Sequence, residues 1–237
     1  MDFLDLSYLD LDHNLAVDEA LLLEAEDGLR GEILRFWEMP TMGVVVGSGG
    51  KVTEEVNQIA CDSENIPVRR RSSGGGTVVL GPGCLCYSLI LSQEQRPYLS
   101  GINDSYAWIL NRLAESIKDI CPAQLEGSSD LESGGLKFSG NAQQRKRRYF
   151  LHHGTLLYDF PITMISHLLP HPPREPDYRS RRSHESFLLN LPANRTQLIQ
   201  NIKTAFSAMV DGRPPSPERV QSLVTDRYSL FSWNHRR

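Results

Sequence analysis

A run of arginines leads into a glycine-rich loop near residue 70. Its members are Arg71, Ser72, Ser73, Gly74, Gly75, Gly76 and Thr77, followed by Val78 and Val79. Three successive glycines let backbone amides approach an anion or an apolar ligand closely. A guanidinium beside such a loop can bind carboxylate or phosphate oxygens through two N–H groups. The pattern favours an oxyanion site, and the alternative is a flexible glycine turn with solvated arginines. The spacing matches neither a P-loop nor a dinucleotide-binding loop.

A single lysine precedes a second glycine turn some sixty residues later. Lys137 stands on a predicted short strand, and the turn after it contains Gly140, Asn141 and Ala142. An ammonium fixed at this position can stabilise charge on a phosphoryl oxygen or on an attacking carboxylate. The alternative is a solvated lysine at a strand edge. The basic run at residues 145–148 also has two interpretations, a contact with phosphates or an acidic partner, or a solvated hairpin tip.

The histidines and cysteines argue against a metal site. His152 and His153 are adjacent, so on a strand they point to opposite faces and cannot easily bind one ion. At least one of them is expected to be structural. The cysteines form no CxxC pair and have no histidine at a ligand spacing, so we expect reduced, mostly buried thiols. They are Cys61, Cys84, Cys86 and Cys121.

The elements that position these motifs alternate irregularly between strands and helices. Helices are predicted at residues 14–25, from 53, at 103–120, 161–169 and 196–210, and strands at 33–37, 43–47, 66–71, 85–91, 136–139, 149–151 and 155–158. The last two strands flank the histidines, and residues 170–184 are expected to be a surface loop. Since strands outnumber helices and connections are short, we predict an α+β fold, a mixed and largely antiparallel sheet with packed helices.

Composition limits the class of protein. The chain has 237 residues, 40% of them apolar, and a formal net charge of -4. This supports a core large enough for one domain and gives no reason to expect nucleic-acid or membrane binding. The acidic N-terminus does not resemble a secretory signal, and no apolar run reaches the length of a membrane span. We expect a cytoplasmic protein.

Taken in order, four of these motifs resemble the lipoate-protein ligase family, also called the biotin/lipoate A/B ligase-like group. The resemblance covers residues 8–195. It includes the helix opening at 14–22, the glycine loop at 71–77, the lysine turn at 137–142 and the strand at 152–157. The arginine-serine segment at 179–183 is similar to one that follows in these ligases. The resemblance implies one catalytic domain over residues 1–237, with a C-terminal helix and tail at 196–237. That domain would fold like the class II synthetase and biotin-lipoate ligase domains.

The resemblance also implies a two-step reaction. Lipoate or octanoate reacts with ATP, accompanied by Mg²⁺, to give an acyl-adenylate, and the acyl group then passes to a lysine of a lipoyl carrier domain. That carrier would be a 2-oxoacid dehydrogenase subunit or a glycine-cleavage-type protein. Lys137 is the implied catalytic residue, contacting the carboxylate and the α-phosphate. The implied ATP- and acyl-binding residues are Arg71, Ser72, Ser73, Gly74, Gly75, Gly76, Thr77, Val78, Val79, Lys137, Gly140, Asn141, Ala142, His153, Gly154 and Thr155.

The chain departs from the family in two ways. Such ligases carry a histidine and an asparagine after the glycine loop, where this chain has Leu80 and Cys84, and this puts nucleotide contacts in question. The small C-terminal accessory domain of the larger ligases is also missing. Either a separate accessory subunit supplies that function or the protein works without it.

Two other functions remain open. One is an ATP-independent octanoyl or lipoyl transferase that works through a cysteine thioester. In one subclass that cysteine lies shortly before the lysine turn, but residues 126–130 hold none, and Cys121 is the nearest. The other is a non-catalytic module that binds the acyl group or the carrier. A biotin ligase is disfavoured because its glycine-arginine loop is absent.

Overall fold

Two β-sheets organise the chain, which the computed structural model describes from Met1 to Arg237. The larger sheet has eight strands, in the spatial order β11 (Val210–Asp211), β1 (Asp2–Asp5), β2 (Ile33–Trp37), β6 (Cys84–Ser92), β10 (Tyr149–Leu157), β9 (Leu136–Arg145), β8 (Asp130–Ser133) and β7 (Gln124–Glu126). The smaller sheet has the order β4 (Val68–Arg70), β3 (Gly43–Val46) and β5 (Val78–Leu80). Most strand pairs are antiparallel, and only β1 with its two neighbours and β3 with β4 are parallel. The predicted α+β fold class is confirmed.

Nine α-helices pack on or beside these sheets. They are α1 (Leu11–Glu26), α2 (Val52–Glu55), α3 (Gln58–Ser63), α4 (Ile102–Ser116), α5 (Thr163–Leu168), α6 (His184–Phe187), α7 (Arg195–Ala205), α8 (Pro217–Leu223) and α9 (Phe231–Asn234). A short π-helical segment, Val224–Tyr228, continues α8. None of the helices combines the length and the apolar character needed to cross a membrane.

Each face of the large sheet has its own hydrophobic core. One core joins α1 and the small sheet to large-sheet residues such as Trp37 and Cys86. The other joins α4 and α7 to Phe36 and Tyr87, which are the sequence neighbours of Trp37 and Cys86. Adjacent residues enter different cores because successive side chains of a strand point to opposite faces. Strands β2, β3, β4 and β6 lie where the sequence predicts strands, whereas β1, β5, β7, β8 and β11 lie outside the predicted ones. Helix α1 is buried on nearly every side, and its polar residues Asn14, Asp18, Glu19 and Glu24 are buried with the apolar ones.

The central hairpin is longer than the sequence predicts. Strand β9 runs without interruption through Gly140, where a turn was expected, and β10 runs through the two histidines and Gly154. Gly154 pairs with Asn141 on β9 and with Tyr87 on β6. These ladders hold the glycines in extended conformation on a buried sheet. The predicted turn at Gly140 and the predicted break at 152–154 are both wrong.

Candidate functional site

A cavity of about 170 Å³ lies on the face of the large sheet that α1 and the small sheet cover. It crosses five neighbouring strands, from Trp37 on β2 to Asp130 on β8. At about 4.8 Å per strand, these four spacings give the cavity a length of about 19 Å. The register places Trp37, Cys86 and Thr155 in one row across the sheet. The cavity is therefore an elongated groove that runs across the strands.

The end at β8 and β9 is cationic. The Nζ atom of Lys137 lies 2.8 Å from Oδ1 of Asp130, and the Lys137 side chain is 25% exposed. Tyr178 donates its hydroxyl to the other carboxylate oxygen, at 3.0 Å. Burial and the Asp130 carboxylate raise the pKa of Tyr178, so the phenol stays protonated and remains a donor. Asp130 is therefore held between two donors, and it orients the ammonium at the cavity wall.

Asn141 fixes the wall beside this lysine. Its Nδ2 atom donates to the carbonyl of Ser129 at 2.8 Å and to Oγ of Ser139 at 3.1 Å. Its Oδ1 atom accepts a hydrogen bond from the hydroxyl of Tyr87. A Cβ atom on Gly154 would lie only 1.8 Å from that Oδ1 atom. The glycine is required here because a side chain on β10 would displace the Asn141 amide.

The end at β2 is apolar. Leu15, Val45, Leu80 and Cys86 line it together with Trp37. Trp37 is 3% exposed, and its indole N–H is buried with no acceptor in the protein. Buried donors in native proteins nearly always have a partner. An acceptor on a bound molecule would satisfy this one.

The glycine loop closes the cavity from the small sheet. Arg71 donates from Nη2 to the carbonyls of Gly74, at 2.6 Å, and Gly76, at 2.8 Å, and from Nε to Oγ of Ser73, at 3.0 Å. Burial lowers the pKa of Arg71 to about 10. The guanidinium thus shapes the loop from within. Gly75 takes a φ of 88°, in the left-handed region that favours glycine.

A buried polar chain joins this loop to the sheet. Ser73 Oγ lies 2.6 Å from Nε2 of His153, and Nδ1 of His153 lies 3.9 Å from Oδ2 of Asp18. Ser73 accepts a hydrogen bond from Arg71 and shares a second one with Nε2 of His153. Burial lowers the pKa of His153 to about 4, so the ring is neutral. Asp18 is neutralised by Arg35, with Nη1 2.6 Å from Oδ1.

These three residues lie in the order of a Ser-His-Asp triad, but they lack its His-Asp hydrogen bond and its accessibility. The 3.9 Å between His153 and Asp18 is too long for a hydrogen bond, and Oδ2 of Asp18 accepts from Ser88 at 2.7 Å. Ser73 is 2% exposed and does not line the cavity. Its oxygen is also occupied by Arg71. The row of side chains Ser73, His153 and Asp18 therefore holds the glycine loop against the large sheet.

The predicted site residues mostly converge on the cavity. Those that line it are Arg71, Gly75, Gly76, Thr77, Val78, Lys137, Gly140, Asn141, Ala142, His153, Gly154 and Thr155. Ser72, Ser73, Gly74 and Val79 do not line it. Leu80, which replaces a polar residue, lines it, whereas Cys84 is fully buried outside it. As expected, the histidines face opposite ways, and His152 lies between Tyr87 and Gln143.

Sequence reasoning missed several residues of the cavity. They are Leu15, Trp37, Val45, Cys86, Tyr87, Ser88, Ser129 and Asp130. Asp130 lies only seven positions before Lys137, so an acid near the lysine was the one local signal available. Ser129 directly precedes Asp130, and the others come from strands and a helix distant in sequence.

The thiols are not activated. Burial raises the pKa of Cys86 well above its ordinary value, and burial also raises the pKa of Cys121. Cys121 does not line the cavity. All four cysteines are free, and three are buried. A reactive thiolate needs the opposite environment, with cationic neighbours and access to solvent.

Comparison with known proteins identifies the family. Residues 10–208 match the model of the lipoyl protein ligase A/B catalytic domain. A protein of Mycoplasma pneumoniae named "Probable lipoate-protein ligase A" is 32% identical over 66% of this chain, and the match covers 45% of its own length. The chain thus spans less than half of that relative. The octanoyltransferase LipM of Carboxydothermus hydrogenoformans is 31% identical over 82% of this chain and 79% of its own.

Solved structures share the fold. A Thermoplasma acidophilum lipoate protein ligase with bound lipoic acid has a TM-score of 0.80 at 22% identity, covering 99% of this chain and 98% of that one. A lipoate-protein ligase A bound with ATP has a TM-score of 0.77 at 23% identity, with the same coverage. A third structure holds a bi-partite T. acidophilum ligase and its E2 lipoyl domain, with a TM-score of 0.79, 21% identity, and coverage of 99% and 95%. This chain belongs to the lipoyl protein ligase A/B catalytic domain family.

Proposed function

We propose that the protein is an ATP-dependent lipoate-protein ligase. It activates lipoate or octanoate to an acyl-adenylate and transfers the acyl group to a lysine of a lipoyl carrier domain. The observation that carries this proposal is the polarity of the groove, which runs from apolar Trp37 and Leu15 to the ammonium of Lys137. A medium-chain acid fits this gradient with its chain at β2 and its carboxylate at β9.

The chemistry places charge where Lys137 lies. In the first step a carboxylate oxygen attacks the α-phosphorus of ATP, and pyrophosphate leaves. In the second step the carrier lysine attacks the acyl carbonyl, and AMP leaves. Both steps build negative charge on oxygens next to the carboxyl group. An ammonium held in place by Asp130 stabilises that charge without reorganising during the reaction.

Mg²⁺ would enter with the phosphates of ATP. No group of three or more acidic, histidine or cysteine side chains in the structure could hold a metal ion alone. Asp130 is the one carboxylate among the residues that line the cavity. Its two oxygens are bonded to Lys137 and Tyr178, so Mg²⁺ would be held mainly by substrate phosphates and water, as is common for this ion. When bound, the ion would neutralise negative charge on the phosphates.

We further propose that residues 1–237 act as one catalytic domain. Its protein substrate would be a lipoyl domain of a 2-oxoacid dehydrogenase or a glycine-cleavage-type carrier, as the E2 lipoyl domain is for the T. acidophilum ligase. That ligase is bi-partite, so a separate accessory subunit is part of the proposal to be tested. Adding such a subunit would increase the rate of carrier modification if it is required.

Transfer without ATP is the second candidate function. It is favoured by the similarity to LipM octanoyltransferases along nearly the whole chain and by Cys86, whose side chain lines the groove. The raised pKa of the buried Cys86 thiol disfavours a thioester at this position. Cys121 lies outside the groove. Survival of ATP-independent transfer in a Cys86→Ser, Cys121→Ser variant would exclude both thiols.

Mass spectrometry of a lipoyl carrier domain separates these functions. The carrier is incubated with the protein and lipoate, with and without ATP, and in parallel with an octanoyl-carrier protein as donor. If the protein is a ligase, the carrier domain gains a lipoyl group only with ATP. If it is a transferase, the carrier domain gains an octanoyl group without ATP, and a non-catalytic binding module gives neither product.

Exchange of pyrophosphate into ATP tests the first step directly. We expect lipoate-dependent exchange that falls by about 100-fold or more in Lys137→Ala, since loss of one preorganised charge-stabilising donor has effects of this size. Lys118→Ala is the matched control, because Lys118 also pairs with an acid, Glu115, but lies on the surface outside the groove. Equal exchange in both variants would remove Lys137 from the reaction.

A further inference from the structure

The segment after residue 208 lies beyond the part of the chain that the family model matches. It nevertheless reaches the base of the glycine loop. The contact is made through Arg70, the residue directly before Arg71 and itself fully buried. Arg70 takes no part in the groove, so its burial needs another explanation.

The backbone of Arg70 is bound by side chains of α9. Its N–H donates to Oδ1 of Asn234 at 2.8 Å, and its carbonyl accepts from the indole N–H of Trp233 at 2.8 Å. Strand β4 is the edge of the small sheet, with β3 on one side only. Asn234 and Trp233 therefore occupy the backbone groups that an edge strand would otherwise leave free.

The guanidinium of Arg70 binds two separate parts of the backbone. It donates to the carbonyls of Asn234 at 3.0 Å and Gly50 at 2.7 Å, and to that of Gly47 at 2.9 Å. Burial is the largest cause that lowers the pKa of Arg70. No carboxylate is hydrogen-bonded to the Arg70 guanidinium. A buried cation held only by carbonyls fixes the C-terminal segment and the 47–50 turn in one geometry.

The 47–50 turn in turn holds the glycine loop. The N–H of Ser48 donates to the carbonyl of Ser73 at 2.8 Å, and a Cβ on Gly47 would lie 2.0 Å from the carbonyl oxygen of Gly75. Arg71 N–H donates to the carbonyl of Val46 at 3.0 Å. The contact therefore continues from Asn234 through Arg70 and the turn to Ser73 and Gly75 in the glycine loop.

We propose that Trp233, Asn234 and Arg70 form a C-terminal latch that positions the glycine loop for the reaction. Asn234 is a positioning residue, since it touches Arg70 and not the groove. A loop with three glycines loses much conformational entropy when it is ordered. The latch orders it before substrate arrives, so its loss raises the KM for the substrate that the loop binds and leaves the fold intact. The predicted rise in KM rests on the proposed ligase function, whereas the predicted loss of order in the glycine loop does not.

Hydrogen exchange followed by mass spectrometry tests the latch on the full chain. In Asn234→Ala we expect the amides of Ser48 and Arg71 to exchange about tenfold faster, because one lost hydrogen bond that leaves a buried donor unpaired corresponds to that factor. Asn234→Asp keeps the acceptor for the Arg70 N–H but loses the amide donor to the carbonyls of Tyr228 and Leu230, so it should restore only part of the protection. Phe231→Ala is the control, as Phe231 lies on the same helix, is 75% exposed and stacks on His235.

Two results would overturn the latch. One is unchanged exchange at 46–50 and 70–73 in Asn234→Ala. The other is faster exchange throughout the protein, which would indicate that Asn234 merely supports the whole fold. In the pyrophosphate exchange assay, the KM for ATP should rise several-fold in Asn234→Ala with kcat within about twofold. If the protein does not use ATP at all, the hydrogen-exchange result still tests the latch.

Discussion

At the scale of single residues, the site depends on partners that restrain each functional side chain. Lys137 is held by Asp130, which is held by Tyr178. His153 is held between Ser73 and Asp18. Each of these groups gives up freedom before any substrate binds, which lowers the entropic cost of the reaction. Trp37 is the exception, because its N–H is buried without a partner.

The unpaired indole of Trp37 predicts a difference between the two acids. A dithiolane sulfur of lipoate is a weak hydrogen-bond acceptor, and the end of an octanoyl chain is not one. Trp37→Phe removes the N–H and keeps an aromatic ring. We expect the KM for lipoate to rise about fivefold, the equivalent of one modest hydrogen bond, and the KM for octanoate to change less than twofold.

Steady-state kinetics with both acids make this measurement. Trp108→Phe is the control, since Trp108 packs beside Tyr98 and Phe206, away from the groove. An equal rise for both acids would mean that Trp37 acts only by filling space.

The residues that the sequence revealed are those marked by local spacing. Lys137 and the glycine loop stand in recognisable runs, and alternation placed the two histidines on opposite faces. Asp18 and Trp37 gave no such signal. Asp18 lies on a helix far from His153 in sequence. The indole N–H of Trp37 is unpaired only because the folded chain buries the ring among β2, β6 and α1.

At the scale of elements, the β9–β10 hairpin builds the floor of the groove. Gly154 is the position where β10 passes closest to a neighbouring side chain. A methyl group there would lie 1.8 Å from Oδ1 of Asn141 and 2.9 Å from Cε1 of Tyr87. Gly154→Ala should lower the free energy of unfolding by about 1–3 kcal/mol, the usual cost of overpacking, and should reduce activity by displacing Asn141.

Urea denaturation measures the change in stability, and the pyrophosphate exchange assay measures the change in activity. Gly31→Ala is a matched control, because a Cβ at Gly31 meets nothing within 4 Å. A Gly154→Ala protein as stable and as active as Gly31→Ala would contradict the steric argument.

The same hairpin explains where element prediction fails. Residues such as Gly140 and Gly154 favour turns in isolation, and the local sequence was interpreted in that way. The long ladders from β6 through β10 to β9 override that preference, since burial and cross-strand pairing decide what a strand tolerates. Strand β2 has its predicted bounds, and α1 begins three residues before its predicted start, because apolar residues make up most of both segments.

At the scale of the whole molecule, two histidines are buried between layers, and only His153 has a carboxylate beside it, that of Asp18. Burial is the main cause that lowers the pKa of His152 to about 3 and that of His153 to about 4. Their unfolded pKa is about 6.5. Below that pH the unfolded chain binds protons that the folded chain does not, so the folded state loses stability as pH falls.

This linkage gives the last prediction. Between pH 6.5 and pH 5 the two rings of the unfolded state go from about one bound proton to nearly two, and the free energy of unfolding should fall by about 3 kcal/mol, about half from each histidine. Urea titrations from pH 8 to pH 5 measure it. The curve should be nearly flat above pH 7.5 and fall below pH 6.5. His152→Gln should halve the fall, since glutamine can still bond Tyr87 or Gln143 but takes up no proton. A wild-type protein equally stable at pH 6.5 and pH 5 would mean that water or a proton reaches both rings in the native fold, and that the layers around the groove open more readily than their packing indicates.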